Sequence, residues 1–387
     1  FEQRTFLAGR CGPVSCVRSA PVAAAMLRIA ITGCDSSRRS PGVPRKSTLN
    51  ERAATGLLDV TGELVRGLYR DMVLGRRFDQ EAYSLQRQGE LGLWLMSLGQ
   101  EAAQVGSIRA LRADDQVFPS YREHVAALCR GVSPTELLSQ WRGSSHGSWD
   151  PERYQFHIYS LILATQTLHA VGYAMGVRYD RSDSVVFTCF GDGASSQGDA
   201  NEALNWAAVT SAPIVFFCQN NGWAISTPAS KQYAGPLRDR AKGFGPDAVS
   251  VDGNDVLAVY AATRSMTGRV RAGGAPGFIE AHTYRMSAHS TSDDPKRYRD
   301  NDELARGQAH DPVERVRLLL NARGWADEDY FATVAADAEE LAQRTRQECR
   351  ALPEPSLSDT FRTTLHEETA ALRREREGYE TFKESFL

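Results

Sequence analysis

Two kinds of segment are missing from this chain. No apolar run approaches the roughly 18 residues that a membrane-spanning helix needs. The seven cysteines (Cys11, Cys16, Cys34, Cys129, Cys189, Cys218 and Cys349) form no CxxC pair and no framework spacing. Cys189 and Cys218 fall inside apolar runs, as reduced core thiols do, so a reducing compartment fits best. Internal repeats and long low-complexity tracts are absent as well. A strong excess of one charge is also missing: the formal net charge of −3 gives no reason to expect nucleic acid as a partner. The 387 residues suffice for one large α/β domain with helical extensions.

The decisive feature is Gly191-Asp192-Gly193, separated by 26 residues from Asn220-Asn221. Each half follows an apolar run. Residues 184–190 (SVVFTCF) and 213–218 (PIVFFC) read as buried parallel strands. Residues 196–209 have the length and composition of a crossover helix. The result is a βαβ unit with an acidic loop after its first strand and an amide loop after its second. Ligands of open α/β sheets collect at that carboxyl edge. Glycine lets the backbone approach a phosphate closely, and a helix N-terminus favours an anion. Asp192 and Asn221 can offer hard oxygens to Mg²⁺, with the Trp223 carbonyl as a third, and Mg²⁺ in turn binds phosphate oxygens. Gly-Asp-Gly alone is an ordinary turn. Paired with Asn-Asn at this distance, it points to a magnesium–diphosphate site.

Elsewhere the pattern is mostly helical. Leu64, Leu68, Met72, Leu74, Phe78 and Tyr83 mark an amphipathic helix, and residues 97–112 read as a second. Residues 114–121 lead to the loop FPSYREH; 134–141 are helical; 143–150 form a Gly/Ser-rich loop; 157–179 hold a loop and then a helix. Residues 227–248, rich in Pro, Gly and charge, read as surface chain. Residues 249–251 are a short strand, Asn254 or Asp255 caps the helix that follows, and 278–284 form a third strand. From Asp311 the chain is helical, with a break at Pro353 to Pro355.

Residues 1–48 stand apart, with eight Arg or Lys against Glu2 and Asp35. An Arg-rich, acid-poor stretch can be a transit peptide. The first Met is Met26, so the stretch also reads as a disordered or non-native tail, the reading preferred here. The expected division is this tail, an α/β domain over 49–330 and a helical extension over 331–387. The expected location is cytoplasmic, or the mitochondrial matrix if residues 1–48 are a transit peptide.

GDG, 26 residues and NN resemble the thiamine diphosphate motif. The stretch GDGASSQGDANEALNWAAV…PIVFFCQNNGWAIST resembles the α subunit of the decarboxylating component of 2-oxo acid dehydrogenase complexes, over about residues 64–298 and more loosely beyond. The resemblance implies a thiamine diphosphate-binding α/β fold, a parallel sheet flanked by helices, with helical N- and C-terminal extensions. It implies that Gly191, Gly193 and Ala194 line the diphosphate while Asn220 holds the turn. Tyr121 and Arg122 in PSYREH match a pair that grips the diphosphate, for which the planar guanidinium is suited. Ser120 and Gln219 stand where some relatives carry Gln and Arg; a neutral Gln219 can still donate a hydrogen bond. His289 matches an active-site loop histidine beside the thiazolium ring and the incoming lipoyl group, where a group titrating near neutrality can handle a proton. The adjacent Ser290 matches a phosphorylation position in some relatives, although nothing in the sequence shows a kinase.

His124 reads equally as a second residue facing the site or as a cap on the next helix. His146 and His157 flank the loop before the first strand of the motif, with His157 the nearer to the cofactor. Leu163 matches an apolar residue that supports the bent cofactor. Ser160, Thr165 and Gln166, with a main-chain carbonyl, resemble a potassium loop of branched-chain members, although Leu161 and Ile162 depart from it.

No second domain supplies a carboxylate to the pyrimidine ring, so the resemblance implies a β subunit, an α₂β₂ heterotetramer and a site at the interface. The implied activity is oxidative decarboxylation of a 2-oxo acid with acyl transfer to a lipoyl group on the acyltransferase core. LATQ at 163–166, NNGWAISTP at 220–228 and HSTSDD at 289–294 favour branched-chain substrates, with pyruvate the alternative. A methylene in an apolar pocket is worth only about 1–3 kcal/mol, so mixed specificity is compatible. A non-catalytic regulatory subunit is the reading from a different class, and intact Asp192, Asn221, Arg122 and His289 argue against it. A thiamine-dependent ligase or transketolase would need the pyrimidine-domain carboxylate in the same chain.

Overall fold

The two central strands of a five-stranded parallel sheet, Val186–Gly191 and Ile214–Asn220, are buried on both faces, which explains why they are largely apolar rather than alternating. The computed structural model describes residues 60–145, 149–354, 361 and 365–386. Helices α1 (Gly62–Arg87) and α2 (Glu101–Arg109) precede strand β1 (Gln116–Phe118). Helices α3 (His124–Cys129), α4 (Pro134–Arg142), α5 (Pro151–Tyr154) and α6 (Thr165–Tyr179) lead to β2 (Val186–Gly191). There follow α7 (Gly198–Thr210), β3 (Ile214–Asn220), the short pair β4 (Trp223–Ala224) and β5 (Thr227–Pro228), and α8 (Leu237–Phe244). Next come β6 (Asp247–Asp252), α9 (Val256–Arg271) and β7 (Gly277–His282). Helices α10 (Asn301–Gln308), α11 (Pro312–Arg323), α12 (Glu328–Ala351) and α13 (Ala370–Glu384) complete the order.

The sheet runs β1-β2-β3-β7-β6, every pair parallel. Alternate residues sort to opposite faces. Phe187, Cys189, Val215, Phe217 and Ile279 join Val259, Met266 and Val270 of α9 and the Trp94–Trp141 cluster. Val186, Phe190, Ile214, Phe216, Cys218 and Phe278 pack on α6, α7 and α8. There Ala170, Ala174, Ala200, Ala203 and Ala207 let the helices lie close to the sheet. A third cluster joins α1 to α11 and α12 through Val65, Leu68, Met72, Val316, Leu320 and Val334. The register sets Gly191 beside Gln219, so the GDG and NN segments leave the sheet at the same edge.

The α/β class, the βαβ unit and the strands of the sequence reading are present, with Asp255 capping α9 through the Leu257 and Ala258 amides. Three readings change. Residues 227–248 are not all surface chain: α8 lies there, with Leu237 and Ala241 buried against the sheet. Residues 97–112 are helical only over Glu101–Arg109, because Gly99 at φ +93° forms a turn whose amide donates to the Glu101 carboxylate at 2.9 Å. Strand β1 lies where a loop was expected; three residues are too few to show a period. A domain boundary at 330 would cut α12 near its start and part it from α1, on which it packs. The expected tail, residues 1–48, lies outside the described residues, as does His146.

Phe216 and Phe217 are both fully buried and sit on opposite faces of β3. Phe216→Ala and Phe217→Ala should each cost about 3–5 kcal/mol, read from urea unfolding. A cost within about 0.5 kcal/mol, as at a surface position, would mean that the corresponding face is not closed.

Candidate functional site

Asp192 opens a 3-10 turn (Asp192–Ser196) directly after β2, and its carboxylate is 1 % exposed. Its Oδ1 accepts the Asn221 amide at 3.3 Å and its Oδ2 the Gln232 side-chain amide at 3.1 Å. No cation pairs with it among the described residues, and burial raises its pKa. A buried carboxylate held only by amides is well matched to a metal ion. Among the described residues no cluster of three or more His, Cys, Asp or Glu could hold a metal, so a cation here would need amide, carbonyl or phosphate oxygens as well. Gly193 has a steric reason to be glycine, since a Cβ there would lie 2.8 Å from the Ala224 Cβ. Around Gly191 there is room, the nearest atom to a Cβ being the Gln219 oxygen at 4.0 Å. Ala194 is buried in the same turn.

Asn221 is 6 % exposed; its side chain donates to Gln100 Oε1 at 3.1 Å, and its Oδ1 accepts the Trp223 amide at 3.2 Å. Asn220 turns away to Tyr233 and Glu280, each at 2.8 Å, and its Oδ1 accepts the Gly222 amide, as expected of a residue that holds the turn. The Trp223 carbonyl accepts Arg285 at 3.3 Å. Gln219 is less free than expected. Its amide donates to Glu123 at 2.7 Å and its oxygen accepts Gln100 at 3.1 Å, so both ends are engaged inside the protein.

Arg122 is 6 % exposed, and its guanidinium donates to the Met96 carbonyl. It also donates to the His289 carbonyl at 3.0 Å and His289 Nδ1 at 3.2 Å. Tyr121 lies edge-on to the His289 ring, with centroids 6.3 Å apart. Arg285, also buried, reaches His289 Nδ1 at 3.5 Å. With arginine donors on Nδ1, the imidazole carries its proton on Nε2, which makes no hydrogen bond among the described residues. Burial, reinforced by the two arginines, lowers its pKa to about 3. Asp293 opposes this weakly; it accepts the His289 main-chain amide at 2.8 Å and the Tyr298 hydroxyl. Ser290, buried beside it, shares a hydrogen bond with Ser292.

His124 does not face this centre. It is fully buried and stacked on Trp94, and its nitrogens are taken by the Tyr159 hydroxyl and the Leu95 carbonyl, both at 3.0 Å. It is the first residue of α3, and the capping position belongs to Glu123, so the capping reading fails as well. His157 stacks on Phe118 at 3.7 Å, and its buried Nε2 has no partner among the described residues.

The Gln166 side chain ties the start of α6 to β2 by donating to the Cys189 carbonyl at 2.7 Å, and its Oε1 is buried without a partner among the described residues. Ser160 Oγ and the Thr165 amide both donate to the Ile162 carbonyl. Leu163, at 40 % exposure, stands with Ile158, Leu161 and Ile162 as an exposed apolar run. Gln100, Glu123, Gln232 and Arg285 were not singled out from sequence. Arg285 had the best available signal, being a charge three residues past a buried strand and four before His289.

Residues 69–358 match the family model described as dehydrogenase E1 component. Over 320 residues the chain is 43% identical to the 3-methyl-2-oxobutanoate dehydrogenase subunit alpha of Mycobacterium tuberculosis, covering 82% of this chain and 87% of that protein. It is 37% identical over 326 residues to the mitochondrial 2-oxoisovalerate dehydrogenase subunit alpha of Homo sapiens, covering 81% and 73% respectively. A mitochondrial 2-oxoisovalerate dehydrogenase subunit alpha 2 of Arabidopsis thaliana is 38% identical over 279 residues, covering 69% and 59%.

Burial also lowers the His124 pKa, from 6.5 to about 3. The unfolded chain therefore takes up this proton first, and the stability His124 contributes is lost as pH falls below about 6.5. The buried carboxylates Asp79, Glu123 and Asp192, all raised, act in the opposite sense, so a variant must isolate the effect. Relative to the parent, His124→Gln should gain up to about 1.4 kcal/mol per pH unit as pH drops from about 6.5 to about 5. Parallel stability–pH curves in urea would refute the buried neutral imidazole.

Proposed function

The chain belongs to the dehydrogenase E1 component family, and within it we propose the α subunit of a branched-chain 2-oxo acid dehydrogenase (3-methyl-2-oxobutanoate dehydrogenase). The reaction would be oxidative decarboxylation with transfer of the acyl group to a lipoyl arm on the acyltransferase component. One observation carries this reading: the amide-held buried Asp192 carboxylate is joined through Asn221, Trp223 and Arg285 to His289 and Arg122 by consecutive hydrogen bonds. An acidic arm and a basic arm thus share one centre, as a metal–diphosphate requires. Asp192, Asn221 and the Trp223 carbonyl would hold Mg²⁺; a carbonyl has two lone pairs, so its bond to Arg285 leaves one free. Arg122 and Tyr121 would grip the diphosphate, with the Gly191, Gly193 and Ala194 backbone beneath it and Leu163 against the bent cofactor. Gln219 would act from behind, by holding Gln100 and Glu123.

When bound, thiamine diphosphate supplies the nucleophile and the electron sink. The chain's own contribution is to bind, orient and exclude water, and to present the Nε2–H of His289 to the reacting oxygen. An anionic diphosphate against Arg122 would also weaken the field that keeps His289 neutral. The partnerless Gln166 Oε1 supports a potassium ion at Ser160, Thr165, Gln166 and the Ile162 carbonyl. The exposed run Ile158, Leu161, Ile162 and Leu163 supports a β subunit closing over the site, in an α₂β₂ assembly. Among the described residues no helix is long and apolar enough to cross a membrane. The greater identity to the bacterial relative supports a cytoplasmic location over the mitochondrial matrix.

Asp192→Ala should abolish Mg²⁺-dependent binding of thiamine diphosphate, measured calorimetrically; unchanged affinity would sink the metal assignment. His289→Gln should leave that binding within a few-fold while reductive acylation of the lipoyl arm falls by about 10²-fold or more. Equal activities would remove His289 from the chemistry. For the enzyme co-expressed with its β subunit, decarboxylation of 3-methyl-2-oxobutanoate should exceed that of pyruvate with an artificial acceptor. The reverse order would keep the chemistry and overturn the substrate.

A further inference from the structure

Away from this centre, the C-terminal ends of α2 and α3 and helix α5 flank an open recess of about 380 Å³, within the range of small-ligand sites. Its wall includes Arg109, Arg112, Arg130 and Arg153, and none of its ten lining residues is a carboxylate. Two of these arginines are paired, Arg109 with Asp71 at 2.6 Å and Arg112 with Asp183 at 2.8 Å. The other two are the half-buried Arg130 and the exposed Arg153. Arg130 spends its terminal nitrogens on the carbonyls of Arg112, Ala113 and Asp115, while the Asp115 and Asp114 carboxylates favour its charge without pairing with it. Its Nε is buried with no partner among the described residues, and burial depresses its pKa. Arg153 makes no ion pair among the described residues, its guanidinium lying 5.0 Å from the Tyr154 ring centroid. The buried, unsatisfied Arg130 Nε is the one feature that sets this wall apart from a solvated basic surface. Tyr154, Leu111 and Ile108 add an apolar wall beside the charge.

We propose that this recess binds a phosphorylated small molecule of nucleotide size, its phosphate against Arg130 and Arg153 and its organic part against Leu111 and Tyr154. Arginine forks match phosphate oxygens, and the mixed wall suits a ligand with one anionic end. The position suggests a consequence for the first site. Helix α2 begins beside Gln100, and its Gln104 donates to the Arg122 carbonyl at 3.0 Å and accepts the Val125 amide of α3 at 3.1 Å. Both helices therefore run from the Arg122 segment to the recess, and a ligand joining their far ends bears on the elements that hold Arg122.

The test is binding of ADP and of inorganic phosphate to the full chain by calorimetry. Expected are one ADP per chain with Kd of about 1 mM or tighter, competition by phosphate, and weaker binding at higher salt. Arg153→Gln, at a side chain that bonds no backbone group among the described residues, should weaken ADP about tenfold or more by removing a charge-assisted contact. Arg122→Gln, in the other site, should leave ADP binding unchanged. Absence of ADP binding, indifference to Arg153→Gln, or loss in Arg122→Gln instead would each overturn the proposal, the last by placing the anion in the cofactor cradle. Arg130→Gln, which risks the local fold because Arg130 caps three carbonyls, is read only against Arg153→Gln.

Discussion

The Asp192 carboxylate, taken out of water at the end of a parallel strand and met only by amides, constrains everything around it. An uncompensated buried charge is costly, and burial drives such a group toward its neutral form unless a cation is supplied. The fold places it there through register. Because Gly191 pairs with Gln219, the turn after β2 and the turn after β3 meet, and the Asn221 amide reaches Asp192 without a long loop. The close contact of Gly193 with Ala224 then fixes the turn against the short β4–β5 hairpin. Strand order, turn geometry and charge burial are thus one arrangement.

A chain of amides ties this edge to the arginine arm. Asn221 donates to Gln100, Gln100 to Gln219 and Gln219 to Glu123, the residue next to Arg122. Each of these side chains is buried, so each bond lost would leave a polar group without water or partner. On the other side Asp79 accepts the Trp94 indole at 2.9 Å and the Ser97 amide at 3.1 Å. The segment it holds supplies the Met96 carbonyl to Arg122 and exchanges hydrogen bonds with Thr291, two residues past His289. Arg122 and the His289 loop are therefore fixed to one short segment rather than to each other alone.

The two central strands were legible in the sequence because parallel strands buried on both faces are largely apolar, as SVVFTCF and PIVFFC are, whereas the three-residue β1 was not. Asp192, Asn221, Arg122 and His289 were legible because they belong to contiguous motifs. The residues that hold them were not. Gln100, Gln232 and Asp79 come from distant segments and acquire meaning only through contacts that no local pattern encodes. His124 illustrates the opposite failure. Its closeness to Arg122 in sequence suggested a shared role, but successive side chains at the start of a helix point in different directions, and His124 turns inward onto Trp94. Gln219 was read as an isolated donor because its partners Glu123 and Gln100 lie about a hundred residues away.

The two arms carry opposite and locally unbalanced charges. Arg122 and Arg285 converge on one imidazole with Asp293 as the nearby acid, and their combined field helps to strip the proton from His289. Asp192, at the other arm, has only amides. Arg285 relieves Asp192 only weakly through space, because the Asn221–Trp223–Arg285 connection runs through a backbone carbonyl and an amide rather than through an ion pair. On the proposed reading a magnesium diphosphate relieves both together, its cation at Asp192 and its phosphate oxygens at Arg122. A ligand that supplied only one charge would leave the other arm unsatisfied, so the site favours the metal and the diphosphate as a unit. The field at His289 would then change with the same event, and the proton-handling group would reach its working state only when the cofactor is in place.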